Sequence, residues 1–136
     1  MRRCFLLLLF LAPVSAFAEL DISDAWIKNL PAAVPVRAGY MTIHNPQSHA
    51  VSIVALRSES FASVELHRTL MQDGMMRMEA VPDLTVNPGE TVQLAPGGLH
   101  LMLMQPVEPT RPGELHRIVI EFDDGSQQGL EMTVRK

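Results

Sequence analysis

The sequence predicts an all-β fold, a sandwich or barrel with Greek-key connections. Beyond residue 18 no stretch keeps a 3.6-residue apolar period, whereas short runs of alternating apolar and polar residues recur throughout. These runs are separated by segments rich in Gly, Pro, Asn and Asp, which are typical of turns. Many short strands at this spacing favour two packed sheets or a closed barrel.

Nine strands are expected, and most of them end at a recognisable turn sequence. The turns are NPQSH at 45–49, QDG at 72–74, NPGE at 87–90, APGG at 95–98, PTRPG at 109–113 and DDGSQQG at 123–129. We find no internal repeat, linker or low-complexity segment between them. The predicted strands cover residues 20–28, 36–44, 50–58, 62–67, 75–80, 91–94, 99–104, 114–122 and 128–134.

The first twenty residues, MRRCFLLLLFLAPVSAFAEL, predict export. Two arginines precede an apolar run, and the small-residue sequence Ala16-Phe17-Ala18 follows it, which is the pattern of a secretory signal peptide. The run is shorter than the ~20 residues that a membrane-spanning helix needs. Cys4 lies too early, without a small-residue box before it, for a lipid-anchor cysteine. We therefore expect a cleaved signal peptide, residues 1–18, and a periplasmic protein that begins after Ala18 and has no membrane span.

Composition restricts the function of the exported chain. Removing 18 of the 136 residues leaves 118, the size of one domain, and loss of Arg2 and Arg3 changes the formal net charge from −4 to −6. An acidic surface without a basic run argues against nucleic acid or anionic lipid as the partner. The single cysteine leaves with the signal peptide. Disulfides, thiol catalysis and thiolate metal sites are thereby excluded from residues 19–136.

Methionine and histidine are concentrated in two short runs, HRTLMQDGMMRMEA at 67–80 and GGLHLMLMQP at 97–106, which hold six of the nine methionines. Side chains alternate between the faces of a strand, so in the second run three leucines share one face. His100, Met102 and Met104 share the other, less buried face. His100 and Met102 then lie about 6–7 Å apart at their backbones, close enough for both to contact one ion.

The first run is expected to fold back on itself. The QDG turn joins a strand that ends at His67 to a strand that starts at Met75, which predicts a hairpin. In the second strand Met76 and Met78 share one face, while Met75 and Arg77 share the other. The hairpin therefore brings His67 towards Met78.

Imidazoles and thioethers are neutral, soft to borderline donors, and the metal that favours them is Cu(I). A blue-copper electron-transfer centre would need a cysteine thiolate and is excluded.

Each of these residues also has an ordinary structural explanation that does not involve a metal. Single methionines usually fill cores, so Met71, Met75, Met76 and Met104 are expected to be core fillers rather than ligands. We expect Trp26 to be a core aromatic, and we expect His44, His49 and His116 to be exposed or locally hydrogen-bonded.

The donor spacing resembles a known family. The spacing matches the H-x10-M-x21-H-x-M signature of the periplasmic copper chaperones called PCu(A)C. Ten residues separate His67 from Met78, and twenty-one separate Met78 from the segment His100-x-Met102. The resemblance extends to the segments VELH, DGMMRM and PGGLHLMLM, to DAW near the start, and to TVNPGETVQLAPGG at 85–98. It thus covers essentially all of the exported chain.

The resemblance implies a cupredoxin-like β-sandwich that binds one Cu(I) at a surface site and acts as a monomer. His67, Met78, His100 and Met102 would be the ligands. The copper would go to a receiving protein, such as the copper subunit of cytochrome c oxidase or an assembly factor, to build the dinuclear copper centre of the oxidase.

Two departures from the family bear on the number of sites. Family members often carry further methionines just after the first histidine, whereas here Arg68 and Thr69 follow and only Met71 remains. Some members have a Met/His-rich C-terminal tail, whereas this sequence ends EMTVRK. One copper site is therefore expected.

Two other functions compete with a copper carrier. An enzyme acting on copper or on the thiols of the oxidase subunit is disfavoured, because no cysteine is left and no Ser/His/Asp or paired-carboxylate set stands out. A metal-free β-sandwich interaction module could use the methionines as an adaptable contact surface. Copper stoichiometry distinguishes the carrier from the module.

Overall fold

The computed structural model describes residues 19–136, so the predicted signal peptide and its cleavage site lie outside the described residues. Every regular element in residues 19–136 is a β-strand. The same residues contain no helix that is long and apolar enough to cross a membrane. The ten strands are β1 (Asp21–Lys28), β2 (Val36–His44), β3 (Val51–Arg57), β4 (Phe61–Gln72), β5 (Met75–Ala80), β6 (Leu84–Val86), β7 (Thr91–Leu94), β8 (Leu99–Pro106), β9 (Leu115–Phe122) and β10 (Gln127–Arg135).

Seven strands close into a barrel in the order β4, β8, β2, β1, β10, β9 and β3. The barrel closes where Leu56 of β3 pairs with Val64 of β4. Neighbouring strands are antiparallel except β1 and β10, which run parallel. The short strands β5, β6 and β7 extend β4, β3 and β2, respectively. The all-β prediction is confirmed, and the closed form is a cupredoxin-like barrel.

The strand predictions differ most at β4, which was expected to end at His67 but continues to Gln72. The turn that follows has only two central residues, Asp73 and Gly74, both at positive φ (52° and 75°). Asp-Gly with two left-handed residues is a type I′ turn, whose twist matches paired strands and lets them pair up to the turn. β6 was not predicted, because three residues are too short for alternation to be recognised.

Alternation on β8 separates the core from the outer face, as predicted. Leu101 and Leu103 are buried inside the barrel, whereas Met102 and Met104 are half-buried on the outer face. The core consists of Leu20, Ile27, Met41, Ile43, Val51, Ile53, Phe61, Val64, Leu66, Val86, Leu94, Leu101, Leu103, Ile118, Ile120, Phe122, Met132 and Val134. The donor-bearing faces of β8 and β4 therefore lie over this apolar core, whereas all six residues of β5 are exposed.

Gly39→Ala is expected to lower the free energy of unfolding by about 1–3 kcal/mol, the usual cost of overpacking a core. An added methyl group would lie 3.1 Å from Leu103 Cδ1, 3.1 Å from Met132 Cε and 3.2 Å from Leu101 Cβ. Gly98→Ala is the control, because its nearest new contact is the Ala95 carbonyl at 3.7 Å. Urea unfolding measures both variants. Equal stability of Gly39→Ala and wild type would contradict this packing.

Candidate metal centre

Two histidines meet across neighbouring strands on the outer face of the barrel. His67 of β4 and His100 of β8 are directly paired in the antiparallel register. Their ring centroids lie 6.2 Å apart and the ring planes are inclined by 37°. Because a metal–imidazole bond is about 2 Å long, two rings at this separation are close enough to share one ion.

His100 carries a free lone pair in a buried position. Its Nδ1 lies 2.9 Å from the Gly98 carbonyl oxygen, which can only accept, so the proton is assigned to Nδ1 and the lone pair to Nε2. Within residues 19–136, Nε2 of His100 is the one buried side-chain nitrogen or oxygen without a hydrogen-bond partner. A buried polar atom of this kind requires an explanation. A neutral imidazole whose Nε2 is unprotonated, with Nδ1–H bonded to a carbonyl, is the form that coordinates metals.

The burial of His100 differs from the sequence-based expectation. We expected the outer face of β8 to be less buried, which holds for Met102 and Met104, but His100 is only 4% exposed. The β2–β8 pairing ends with Gly39 and Leu101, the residue after His100. On the other side of β8, His67 of β4 is the direct partner of His100.

The position of Trp26 corrects another prediction, because this residue is half-buried rather than in the core. Its ring lies 4.8 Å from the Tyr40 ring, and the Arg135 guanidinium lies 5.4 Å from its centroid, an arrangement that favours a cation–π contact. Burial raises the pKa of Tyr40 above its ordinary value.

His67 is half-buried and contacts a carboxylate. Its Nε2 lies 2.8 Å from Oε2 of Glu65, two residues earlier on the same face of β4. A carboxylate accepts, so Nε2 carries the proton in this arrangement and the free lone pair lies on Nδ1. Glu65 was not predicted as a site residue, although its spacing from His67 places both side chains on one strand face.

Met102 lies on the same face as the two histidines and is half-buried. It pairs with Glu65 of β4 and Ala38 of β2, one step along the sheet from the His67–His100 pair. Met102 is thus two residues from His100 along β8 and diagonal to His67. Diagonal neighbours in a sheet lie about 7–8 Å apart, within reach of long side chains.

Met78 approaches the histidines from the opposite side. The predicted hairpin is present, with His67 paired to Ala80 and Thr69 paired to Met78. Met78 is therefore also diagonal to His67, and its side chain is 61% exposed. The structure pairs the two histidines directly and places one methionine on each side of them.

The remaining methionines of the first run are not core residues, contrary to our expectation. Met71, Met75 and Met76 are exposed on the β4–β5 hairpin. Met104 is half-buried and pairs with Ser63 and Val36, a step further from the histidines than Met102.

The other three histidines lie elsewhere and have the local partners expected of them. His44 Nδ1 is 3.0 Å from Thr91 Oγ1, and His116 Nε2 is 3.1 Å from Glu114 Oε2. His49 is exposed, and its carbonyl accepts from the Asn45 side chain. No three His, Cys, Asp or Glu side chains in residues 19–136 are arranged to hold a metal. A metal at the His67–His100 pair would therefore need donors of another type, and thioethers are beside it.

Solved structures share this barrel. The copper-bound PCuAC domain of PmoF2 superimposes with a TM-score of 0.72, 18% identity and coverage of 88% of this chain and 95% of that domain, a likeness in fold. The Cu(I) form of DR1885 from Deinococcus radiodurans superimposes with a TM-score of 0.71 and 29% identity. That alignment covers 92% of this chain and 83% of DR1885.

The sequence also matches a family and its relatives. "Putative lipoprotein Lxx21020" from Leifsonia xyli is 31% identical over 116 residues, which cover 85% of this chain and 69% of the relative. An uncharacterised Rickettsia prowazekii protein, RP573, is 26% identical over 88% of this chain and 68% of its own length. The family described as "Putative lipoprotein LpqE-like" matches residues 20–134. The chain therefore belongs to the LpqE-like family.

Proposed function

We propose that this protein is an exported copper chaperone of the PCu(A)C type. It holds one Cu(I) between the imidazoles of His67 and His100 and the thioethers of Met78 and Met102. It carries the ion as cargo and releases it to a receiving protein.

The unpartnered Nε2 of buried His100 is the observation that carries this proposal. Leaving a buried acceptor unsatisfied costs about 1–3 kcal/mol, and a ligand bonded to Nε2 would remove this cost. The Gly98 carbonyl fixes the tautomer that leaves Nε2 free, and His67 lies within sharing distance. The residues therefore fit a soft metal ion.

The donor set favours Cu(I) over other metals. Mg²⁺, Ca²⁺ and Mn²⁺ prefer oxygen ligands, whereas thioethers are soft donors that suit Cu(I). DR1885, which is 29% identical to this chain, was solved with Cu(I). Two neutral imidazoles and two neutral thioethers leave the positive charge of the ion uncompensated, so the site can release it more readily than a thiolate cage could.

The exposure of the site suits transfer by ligand exchange. Met78 lies on β5, an edge strand whose six residues are all exposed. Ligands of the receiving protein can replace the donors one at a time, approaching the ion from the exposed β5 side. The family resemblance suggests the dinuclear copper centre of cytochrome c oxidase, or a factor that assembles it, as the destination. No covalent change is needed, so we propose a carrier and not an enzyme.

Export agrees with the description of the family and with the name of the Leifsonia xyli relative, both of which describe lipoproteins. In this sequence the one cysteine, Cys4, is the first residue of the apolar run, and cleavage after Ala18 would remove it. We therefore propose that the chaperone is released into the periplasm. We also propose that it is a monomer.

Anaerobic titration with Cu(I) against a competing chelator tests the proposed function. The purified protein is expected to withdraw one equivalent of Cu(I) from the chelator, because the structure contains one imidazole pair flanked by thioethers. Failure to withdraw any copper would eliminate the chaperone.

The same titration decides the alternative, a metal-free interaction module with a methionine-rich surface. Its support is the exposure of four methionines on the β4–β5 hairpin, Met71, Met75, Met76 and Met78, since flexible thioether side chains suit adaptable contacts. A module of this kind would leave the copper on the chelator.

A further inference from the structure

The tip of the β4–β5 hairpin carries a second group of thioethers outside the proposed copper site. Met71 of β4 and Met76 of β5 are direct cross-strand partners. We call these two residues the tip pair. Their side chains are 70% and 67% exposed, so neither one packs into the core.

The hairpin register holds the tip pair close together. The two-residue turn is flanked by Gln72 and Met75, the pair that exchanges hydrogen bonds beside such a turn. Hydrogen-bonded and non-hydrogen-bonded pairs alternate, so Met71 and Met76 form a non-hydrogen-bonded pair, whose side chains lie closest. Their Cβ atoms are then about 4.5–5.5 Å apart. Two flexible thioethers at this separation can bind one soft ion.

Met78 lies between the tip pair and the histidines. Its partner on β4 is Thr69, and His67 and Met71 lie two residues before and two residues after Thr69 on that strand. The three side chains share one face of the hairpin. Met78 is thus diagonal to both His67 and Met71, at about 7–8 Å from each. The same exposed thioether can reach either group.

We propose that Met71 and Met76 form a transient Cu(I) site, and that Met78 is the exchanging ligand that passes the ion between this site and the histidines. The inference rests on the proposed Cu(I) carrier function and adds the route by which the ion moves. Arriving Cu(I) binds Met71, Met76 and Met78. The Met78 thioether keeps its bond to the ion while the bonds to Met71 and Met76 break and bonds to His67, His100 and Met102 form. Release reverses these steps.

The chain offers a matched control for the tip pair. Met75 lies on the same strand as Met76, next to it in sequence, and is 65% exposed. Its side chain points to the opposite face of the hairpin. Met75→Leu therefore removes an equally exposed thioether that lies outside the proposed route.

Stopped-flow transfer of Cu(I) from the loaded protein to a chromogenic chelator tests the route. Met71→Leu/Met76→Leu is expected to slow the transfer severalfold while leaving the equilibrium affinity and the stoichiometry unchanged, because the resident ligands remain. Met75→Leu is expected to transfer at the wild-type rate. Equal rates for all three proteins would overturn the inference, as would equal slowing by both variants.

Methyl NMR of the methionines locates the transient site directly. In His67→Ala/His100→Ala, Cu(I) is expected to shift the methyl resonances of Met71, Met76 and Met78 and to leave Met75 unmoved. Shifts confined to Met78 and Met102 would contradict the tip site. Wild-type protein that takes no Cu(I) would instead refute the proposed function, so the two failures are distinguishable.

Discussion

Replacing His100 by alanine is expected to lower the affinity for Cu(I) by more than about 100-fold. Loss of a residue that only hydrogen-bonds to a metal ligand already lowers metal affinity by about 10–100-fold, and His100 is proposed as a ligand itself. His100 presents a free Nε2 at the centre of the donor group, flanked by His67 and Met102. Without His100, the remaining proposed donors are the imidazole of His67 and the two thioethers on either side of that imidazole. Competition titration against a Cu(I) chelator measures the loss.

Two further variants make the result specific. His100 is buried, so its truncation can also lower stability; His67→Ala removes the second imidazole from a half-buried position and is expected to give a similar loss of affinity. His49→Ala removes an exposed histidine that is not among the proposed donors and is expected to bind like wild type. Comparable losses in His49→Ala and His100→Ala would contradict the assignment.

Met78→Leu is expected to separate copper binding from stability. A volume-conserving apolar exchange usually costs under about 1.5 kcal/mol, and less is expected here because the side chain is exposed. The thioether, however, is one of four proposed donors, and leucine has none. Affinity for Cu(I) should therefore fall strongly while thermal unfolding stays close to that of wild type.

Met75→Leu is the matched control for Met78, because both residues lie on β5 with similar exposure but on opposite faces. Met102→Leu extends the comparison to the half-buried thioether on β8 and is expected to behave like Met78→Leu. If Met78→Leu or Met102→Leu unfolds before it loses copper, that methionine is a structural residue. Equal affinities of Met75→Leu and Met78→Leu would exclude Met78 as a ligand.

Local sequence signals predicted most of the fold. Alternation in LHLMLM predicted that Leu101 and Leu103 are more buried than Met102 and Met104, and the structure confirms this, although His100 is buried too. The QDG turn predicted the hairpin, and Asp-Gly with positive φ at both residues explains why β4 pairs with β5 up to the turn. Both signals act within a few residues, where side-chain alternation and turn sterics decide the structure.

The arrangement between distant strands could not be predicted by alternation or turn chemistry. His67 and His100 lie on β4 and β8, with three strands between them in sequence. Alternation says which face a residue occupies but not which strand lies beside it or in what register. The burial of His100 was likewise not predicted, because alternation places it on the same outer face as the half-buried Met102. For this reason the ligand set depended on the family resemblance.

X-ray absorption at the copper edge of the protein loaded with one equivalent of Cu(I) identifies the atoms bound to the ion. Both nitrogen and sulfur neighbours are expected, because the proposed ligands are two imidazoles and two thioethers, and the sulfur contribution should decrease in Met78→Leu and in Met102→Leu. Nitrogen and oxygen neighbours without sulfur would exclude the proposed site.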